Sequence, residues 1–384
     1  MRMRVSPHHR SSRTRLAFPL VGLMIASLGC GLGSVSPTAT APPTEPLVRP
    51  TQAEAPIATQ ATRPLVKPTS ANAPAEQPSP VGEALPLSPD KYAHSSGAFE
   101  LNPPLSWTID EGTTYASWTE EETGSSVKVF VNTTGYQLEA DAFDAVVAAN
   151  EENYFGTFFS DYQVLDRTVD NFGAAVVTQS LTNEGVAYRV TSIYYQESDV
   201  VYEVDFWAAE AVADDYASTF NKIWQDMSVS ASTASSAIGP YIDVYTFTDP
   251  AGLYTFDVPY LWRHELYTET TAAIDTFSSP DRLAYVENIS YDDGTVISKS
   301  LSGAFALQLL HEHYAEDVKI TEDKVQPDGS ERLTWHSPSG GTSGLTFFET
   351  RGTTFLMLTL GSDDSLSSLY TPILDNVITT YQVP

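Results

Sequence analysis

Gly97-Ala-Phe-Glu-Leu-Asn-Pro-Pro-Leu-Ser-Trp107 and Gly252-Leu-Tyr-Thr-Phe-Asp-Val-Pro-Tyr-Leu-Trp262 are two versions of one pattern, Gly-x-aromatic-x-apolar-x-x-Pro-x-x-Trp, set 155 residues apart. Five matched positions at one spacing indicate an internal duplication. In the first copy Phe99 and Leu101 alternate with Ala98 and Glu100, the period of a half-buried strand. Pro103 and Pro104 have no backbone donor for a ladder, so the strand should end there. The stretch therefore reads as the entry strand of a domain, with Trp107 and Trp262 expected in the core beneath a helix or lining a ligand cleft.

Downstream of each copy the same order of elements is expected. In the first unit, a run from Trp107 to Trp118 precedes a strand in which Val127, Val129 and Val131 alternate with Lys128 and Phe130. A helix follows, because Phe143, Val146, Val147, Asn150 and Tyr154 recur at helical spacing, with Gly156 as its expected stop. Four strands are expected at residues 162–169, 174–182, 186–195 and 200–207, with Asn- and Gly-containing turns that favour antiparallel hairpins. In the last of them Val200, Tyr202, Val204 and Phe206 face one way and Glu203 and Asp205 the other. Val212, Tyr216, Phe220, Ile223 and Met227 then form the apolar stripe of a closing helix. In the second unit the run after Trp262, a helix through Leu301, Phe305 and Leu309, four strands, and a final helix through Leu366, Tyr370, Ile373 and Val377 repeat the series. Both units read β-β-β-α-β-β-β-β-α. The fold class is α+β: two tandem antiparallel sheets covered by helices. The expected divisions are residues 1–29 (signal peptide), 30–90 (lipidation site and tether), 91–230 (first domain), 231–243 (Ser/Ala linker) and 244–384 (second domain).

This element order, with the entry motif in front and an amphipathic closing helix behind, resembles the PsbP-like family. The resemblance implies an α/β/α sandwich built on an antiparallel sheet. The family includes extrinsic photosystem subunits and exported bacterial lipoproteins. No functional residue of the family matches a position in this sequence, so none is carried over.

The N-terminus reads as an address. Five arginines precede the apolar run of residues 16–29, which is followed by Cys30, the only cysteine of the chain. The run is shorter than the ~20 residues of a comfortable membrane span. Ser27-Leu28-Gly29-Cys30 resembles the lipobox of bacterial lipoprotein precursors, Leu-[Ala/Ser]-[Gly/Ala]-Cys, with Ser27 standing where an aliphatic residue is usual. That resemblance implies cleavage before Cys30, its acylation, and anchoring to the outer face of a bacterial cell membrane. The alternatives are secretion with Cys30 removed or idle, and an uncleaved anchor extending to Val35. Residues 31–90 hold thirteen of the 25 prolines and no aromatic residue, too little apolar surface to offset chain entropy. They should form a disordered tether, with a minor repeat at Pro46-Leu-Val-Arg-Pro-Thr51 and Pro64-Leu-Val-Lys-Pro-Thr69.

Charge narrows the partners. The chain has 20 basic against 49 acidic residues, a net charge of −29, which argues against nucleic acid and against binding anionic headgroups by charge. The catalytic motifs are weak. His311 and His313 lie two apart on a helix and point about 200° away from each other, so one ion cannot take both. Asp292-Asp293-Gly294 and Asp363-Asp364 read as acidic turns without the full calcium-loop pattern. The stretch from Ser337 to Gly344 reads as a hairpin loop, lacking both the hydrolase elbow and the phosphate-loop lysine. Asn132-Thr-Thr and Asn288-Ile-Ser fit the glycosylation sequon. No catalytic, metal or cofactor residue is assigned; the only site residue is Cys30, for lipidation. The expected function is non-catalytic: a membrane-tethered extracytoplasmic lipoprotein binding a protein, an envelope component or a small ligand. The alternatives are a hydrolase with its site between the two domains, and a structural spacer or assembly factor.

Overall fold

The structure, a computed structural model, describes residues 85–314 and 317–384. The expected signal peptide, Cys30, the tether as far as residue 84 and both proline repeats lie outside the described residues.

In chain order the first unit comprises β1 (Tyr92–Ala93), β2 (Phe99–Leu101), β3 (Thr108–Glu111), β4 (Tyr115–Thr119), β5 (Ser126–Thr133), a helix at Ala140–Asn150, β6 (Gln163–Val169), β7 (Ala175–Asn183), β8 (Val186–Glu197), β9 (Val200–Ala209), a closing helix at Ala213–Asp226 and β10 (Ser228–Val229). The second comprises β11 (Val244–Thr248), β12 (Thr255–Pro259), β13 (Arg263–Thr268), β14 (Ala272–Ser278), β15 (Ala284–Tyr291), a helix at Lys299–His313, β16 (Lys319–Val325), β17 (Glu331–Ser337), β18 (Thr342–Arg351), β19 (Thr354–Asp363) and a closing helix at Ser367–Thr380. The two seven-stranded antiparallel sheets have the orders β3-β4-β5-β9-β8-β7-β6 and β13-β14-β15-β19-β18-β17-β16, one topology used twice. The duplication extends to detail: the outer hairpin is bulged between Val164 and Asp166 in one sheet and between Ile320 and Glu322 in the other.

The repeated motif can now be explained position by position. Gly97 and Gly252 take φ of +70° and +74°, a region costly for any residue with a Cβ, and their N–H groups close turns onto the carbonyls of His94 and Asp249. Phe99 and Leu101, and in the second copy Tyr254 and Phe256, are fully or almost fully buried. Each entry strand leaves the main sheet and pairs with flanking chain: β2 with β1 and β10, β12 with β11 and, through Thr255, with Gln382 after the last helix. The tryptophan ends the motif against the closing helix. Trp262 is fully buried with its ring 6.1 Å from Tyr370, and Trp107 is half-buried, 6.0 Å from Tyr216 and 6.4 Å from Phe220. Both therefore take the core role.

Both faces of each sheet are covered. On the closing-helix side of the first sheet, Tyr202, Val204 and Phe206 pack with Phe220 and Ile223. The helix at Ala140–Asn150 covers the other side, and its Ala142 and Val146 join Leu138 and Val201 in one apolar cluster with Tyr254, Phe256 and Trp262 of the second unit. Each large apolar side chain buried there stabilises the packing of the two units by ~1.5–3 kcal/mol. Among the described residues no helix is long and apolar enough to cross a membrane.

Three expectations need correction. The run between Trp107 and Trp118 is not one strand but the hairpin β3–β4, closed by Gly112 N–H donating to the Tyr115 carbonyl at 2.9 Å; β13–β14 repeats this in the second unit. The chain turns at residues 112–114 in the first unit, between β3 and β4. Gly156 does not stop the helix, which passes through a π turn at Glu151–Phe155 and continues over Gly156–Phe158. Gly156 keeps a right-handed φ of −66°, so its freedom is unused there. The Ser/Ala stretch read as linker contains a helix, Ala231–Ala237, whose Ala231 and Ala234, with Ile238, pack into the first core at helical spacing. Glu203 and Asp205 lie on the face of β9 that alternation assigned to them, but in a departure from the usual behaviour of acidic residues all ten residues of the strand are buried, these two included.

Candidate functional site

That last departure locates the candidate site. Side chains alternate along a strand, so Glu203, Asp205 and Trp207 share the face of β9 that lies under the first helix. Register across the sheet sets Lys128 of β5 and Ser192 of β8 on either side of Asp205, and Tyr194 of β8 beside Glu203. From the helix, Asn150 Nδ2 donates to the Tyr194 hydroxyl at 2.8 Å and to Glu203 Oε1. From the second unit, the Tyr260 hydroxyl donates to Asn150 Oδ1 at 3.2 Å, and the Tyr260 ring lies 6.3 Å from that of Tyr154. Arg263 and Glu152 pair across the rim at 3.5 Å. The cluster is therefore closed by residues from both units.

Glu203 is 6% exposed and Asp205 2% exposed, and only one cation is near. Burial, reinforced by the charge of Asp205, pushes the Glu203 carboxyl well above the usual carboxylate range. Burial also raises Asp205 to about 6, against the opposing pull of Ser192, Lys128 and Trp207. Lys128 is depressed because burial outweighs the attraction of Asp205 and Glu203. The upward shifts favour the neutral form of the carboxyls, and the attraction between Lys128 and both acids offsets part of the cost of burying them. The two behave as one coupled acid pair.

In front of this pair, at one end of the sheet, is a cleft of about 410 Å³. Half of its lining is aromatic (Tyr154, Phe158, Phe159 and the buried Tyr188 and Trp207), and the rest is small or polar, including Ser126, Asn183 and Lys128. The Lys128 ammonium stands 4.4 Å from the centre of the Trp207 ring, a cation–π contact of ~0.5–2 kcal/mol. Phe159 and Tyr188 meet the same indole edge-on at 5.6 and 5.8 Å. The carboxylates act on Lys128 through space; among the described residues no acceptor bonds it directly. Asp205 is the cross-strand neighbour of Lys128, and neither Glu203 nor Asp205 lines the cleft.

The second unit buries different polar groups. Beneath the helix at Lys299–His313, Glu287 accepts from the Tyr314 hydroxyl at 2.8 Å and lies 3.4 Å from His313 Nδ1. Burial disfavours the charged imidazole of His313, but the hydrogen bond and charge of Glu287 outweigh it and raise its pKa. Nearer the entry strand, His264 Nε2 lies 2.7 Å from Asp275, which also accepts from the Tyr254 hydroxyl. With Phe277 stacked on the imidazole at 4.4 Å, that dyad ties the β13–β14 hairpin to the entry strand.

The residues singled out in the sequence are dispersed. His311 turns to the Val318 carbonyl at 3.3 Å while His313 turns to Glu287, so the two do not converge. Asp292 accepts from Gly294 N–H and from the Thr353 and Thr354 hydroxyls, and Asp364 accepts from the Ser343 hydroxyl and faces His336. These carboxylates tie turns and strand ends together. Ser337 and Thr342 bound the β17–β18 hairpin turn, and Ser337 donates to Asp317 at 2.9 Å. Asn132 and Asn288 are buried, and Asn288 accepts from the Tyr381 hydroxyl, so neither side chain is open to a glycan. Among the described residues no group of three or more His, Cys, Asp or Glu side chains could hold a metal ion.

Sequence reasoning missed Lys128, Asn150, Glu203, Asp205 and Trp207. Parity offered a signal. Val201, Trp207 and Ala209 fall on the same side of β9 as the two acids, and a face carrying those side chains is not a solvated one.

No protein-family profile matches the chain, and no curated protein sequence does. Among solved structures, cyanobacterial PsbP from Synechocystis is similar at 12% identity, covering 41% of this chain and 100% of its own, with a TM-score of 0.28. A Pseudomonas aeruginosa protein of unknown function is similar at 12% identity over 38% of this chain and 95% of its own, with a TM-score of 0.26. A Bacteroides thetaiotaomicron protein is similar at 10% identity over 69% of this chain and 87% of its own, with a TM-score of 0.27. At these scores the likenesses carry no argument about family, ligand or activity.

Proposed function

We propose that this chain is an exported lipoprotein, held at the outer face of a bacterial membrane through Cys30, whose first unit binds a small ligand in the aromatic cleft. The observation that carries this reading is the cleft itself: about 410 Å³, lined by aromatic side chains, a lysine and a few small or polar residues. Small-molecule sites are concave, mostly apolar, and carry a few polar groups that orient the ligand. The two units read as tandem PsbP-like modules on the strength of the entry motif and element order. The membrane address rests on the arginines, the apolar run and Cys30. The acid pair is not among the residues that line the cleft, which favours binding over hydrolysis there.

Two experiments test it. A thermal-shift screen of small molecules on the full chain is expected to yield ligands whose stabilisation is lost in Trp207→Leu; ligands that stabilise both proteins equally would count against the cleft. Separately, Cys30→Ser is expected to release the protein from membranes on fractionation, and unchanged retention would remove the lipid anchor from the account.

A further inference from the structure

The cleft also specifies what kind of molecule it takes; this step rests on the small-ligand reading above. Its accessible aromatic walls are Phe158, which is exposed, and the half-buried Tyr154 and Phe159, backed by the buried Tyr188 and Trp207, and such walls favour a flat, aromatic body. The floor presents an ammonium that sits over the indole ring and that no acceptor among the described residues bonds directly, so its N–H groups are free to meet a ligand.

Charge decides which acceptor. Asp205 is the cross-strand neighbour of Lys128, and Glu203 lies two residues along the same face of that strand. Both acids already attract the lysine. An anionic ligand would bring a further negative charge close to the acid pair in a partly dry site. A neutral carbonyl oxygen avoids that cost and accepts a charge-assisted hydrogen bond. The geometry points to a flat, uncharged aromatic molecule bearing a carbonyl group, its oxygen on the Lys128 ammonium and its ring against Phe158 and Tyr154.

Three naphthalenes of similar size separate the terms: 2-acetylnaphthalene, its carbonyl-free analogue 2-ethylnaphthalene, and 2-naphthoate. Affinities are measured on the full chain at pH 7.5 by tryptophan fluorescence. The ketone is expected to bind roughly tenfold more tightly than the ethyl compound, the scale of a hydrogen bond to a charged donor, and more tightly than the carboxylate. Lys128→Met is expected to erase the ketone's advantage while leaving 2-ethylnaphthalene unchanged. A readout independent of any variant is the ketone's infrared carbonyl stretch, expected to fall in frequency on binding to the wild-type chain. Equal affinity for ketone and ethyl compound, tighter binding of the carboxylate, or an unshifted carbonyl band would overturn the ligand class and leave the cleft standing as a binding site. If none of the three naphthalenes binds, the cleft reading falls as well.

Discussion

Asp205→Asn offers a quantitative test of the buried acid pair. The folded chain holds the Asp205 carboxyl at about 6, against an ordinary value of 3.8. Across that interval the folded state binds more protons than the unfolded state, so stability falls as pH rises and levels off above the folded value. A difference of about 2 units corresponds to about 3 kcal/mol in all. From pH 5 to pH 8 about half of it remains to be lost, since pH 5 already lies about one unit above the unfolded value. Asparagine keeps the shape and removes the titration. Its loss of attraction to Lys128 is a nearly constant offset over this range, and Glu203, relieved of the neighbouring charge, titrates lower in the variant, which acts in the same direction. The difference in unfolding free energy, variant minus wild type, is therefore expected to grow by on the order of 1 kcal/mol or more between pH 5 and pH 8. Urea unfolding followed by tryptophan fluorescence at several pH values measures it. Parallel stability curves would refute the reasoning. So would a difference that shrinks with rising pH, which would mean that Asp205 is held ionised by its partners.

Other expectations follow from single contacts. Gly97→Ala should destabilise more than Gly252→Ala: both impose positive φ, but at Gly97 the new Cβ would lie 2.8 Å from Thr233 Cγ2 whereas at Gly252 it meets nothing within 4 Å. Melting temperatures should separate the two, the positive-φ strain alone being ~1–2 kcal/mol. Trp262→Ala should cost ~3–5 kcal/mol, and Trp107→Ala less because that ring is only half-buried; chemical denaturation gives the order, and equal losses would contradict the burial argument. Glu287→Gln should lower the pKa of His313, since it removes the partner that overcomes burial. The raised value means that the imidazolium stabilises the fold at low pH and that this contribution is lost as pH rises through the folded pKa, so the variant should show a weaker loss over that window. Proton NMR titration of His313 reads it directly.

Much of the architecture was legible because it depends on period. The five-position motif announced the duplication, and Val212, Tyr216, Phe220 and Ile223 announced the closing helix that buries Trp107. What was lost turned on context. Glycine is permissive in any conformation, so Gly112 turning a hairpin and Gly156 sitting within a continuing helix cannot be told apart by residue type alone. The site was lost for a related reason. Alternation in β9 assigns Glu203 and Asp205 to one face correctly, but whether that face is wet depends on the helix at Ala140–Asn150 and on Tyr260 of the other unit. Such distant cover is not encoded in the strand's own residues. Lys128 suffered likewise: in an alternating strand it reads as the solvated position, whereas it forms the floor of an aromatic cleft. The Ser/Ala stretch is the reverse case, where helical spacing of Ala231, Ala234 and Ile238 was present but low-complexity composition masked it.

The central claim is that the first unit holds its ligand between aromatic walls and Lys128. A crystal structure of the chain with a stabilising small molecule tests this most directly. The ligand's ring is expected against Phe158 and Tyr154, with its acceptor within about 3 Å of the Lys128 ammonium. A ligand seated elsewhere, with the cleft beside Lys128 vacant, would contradict it.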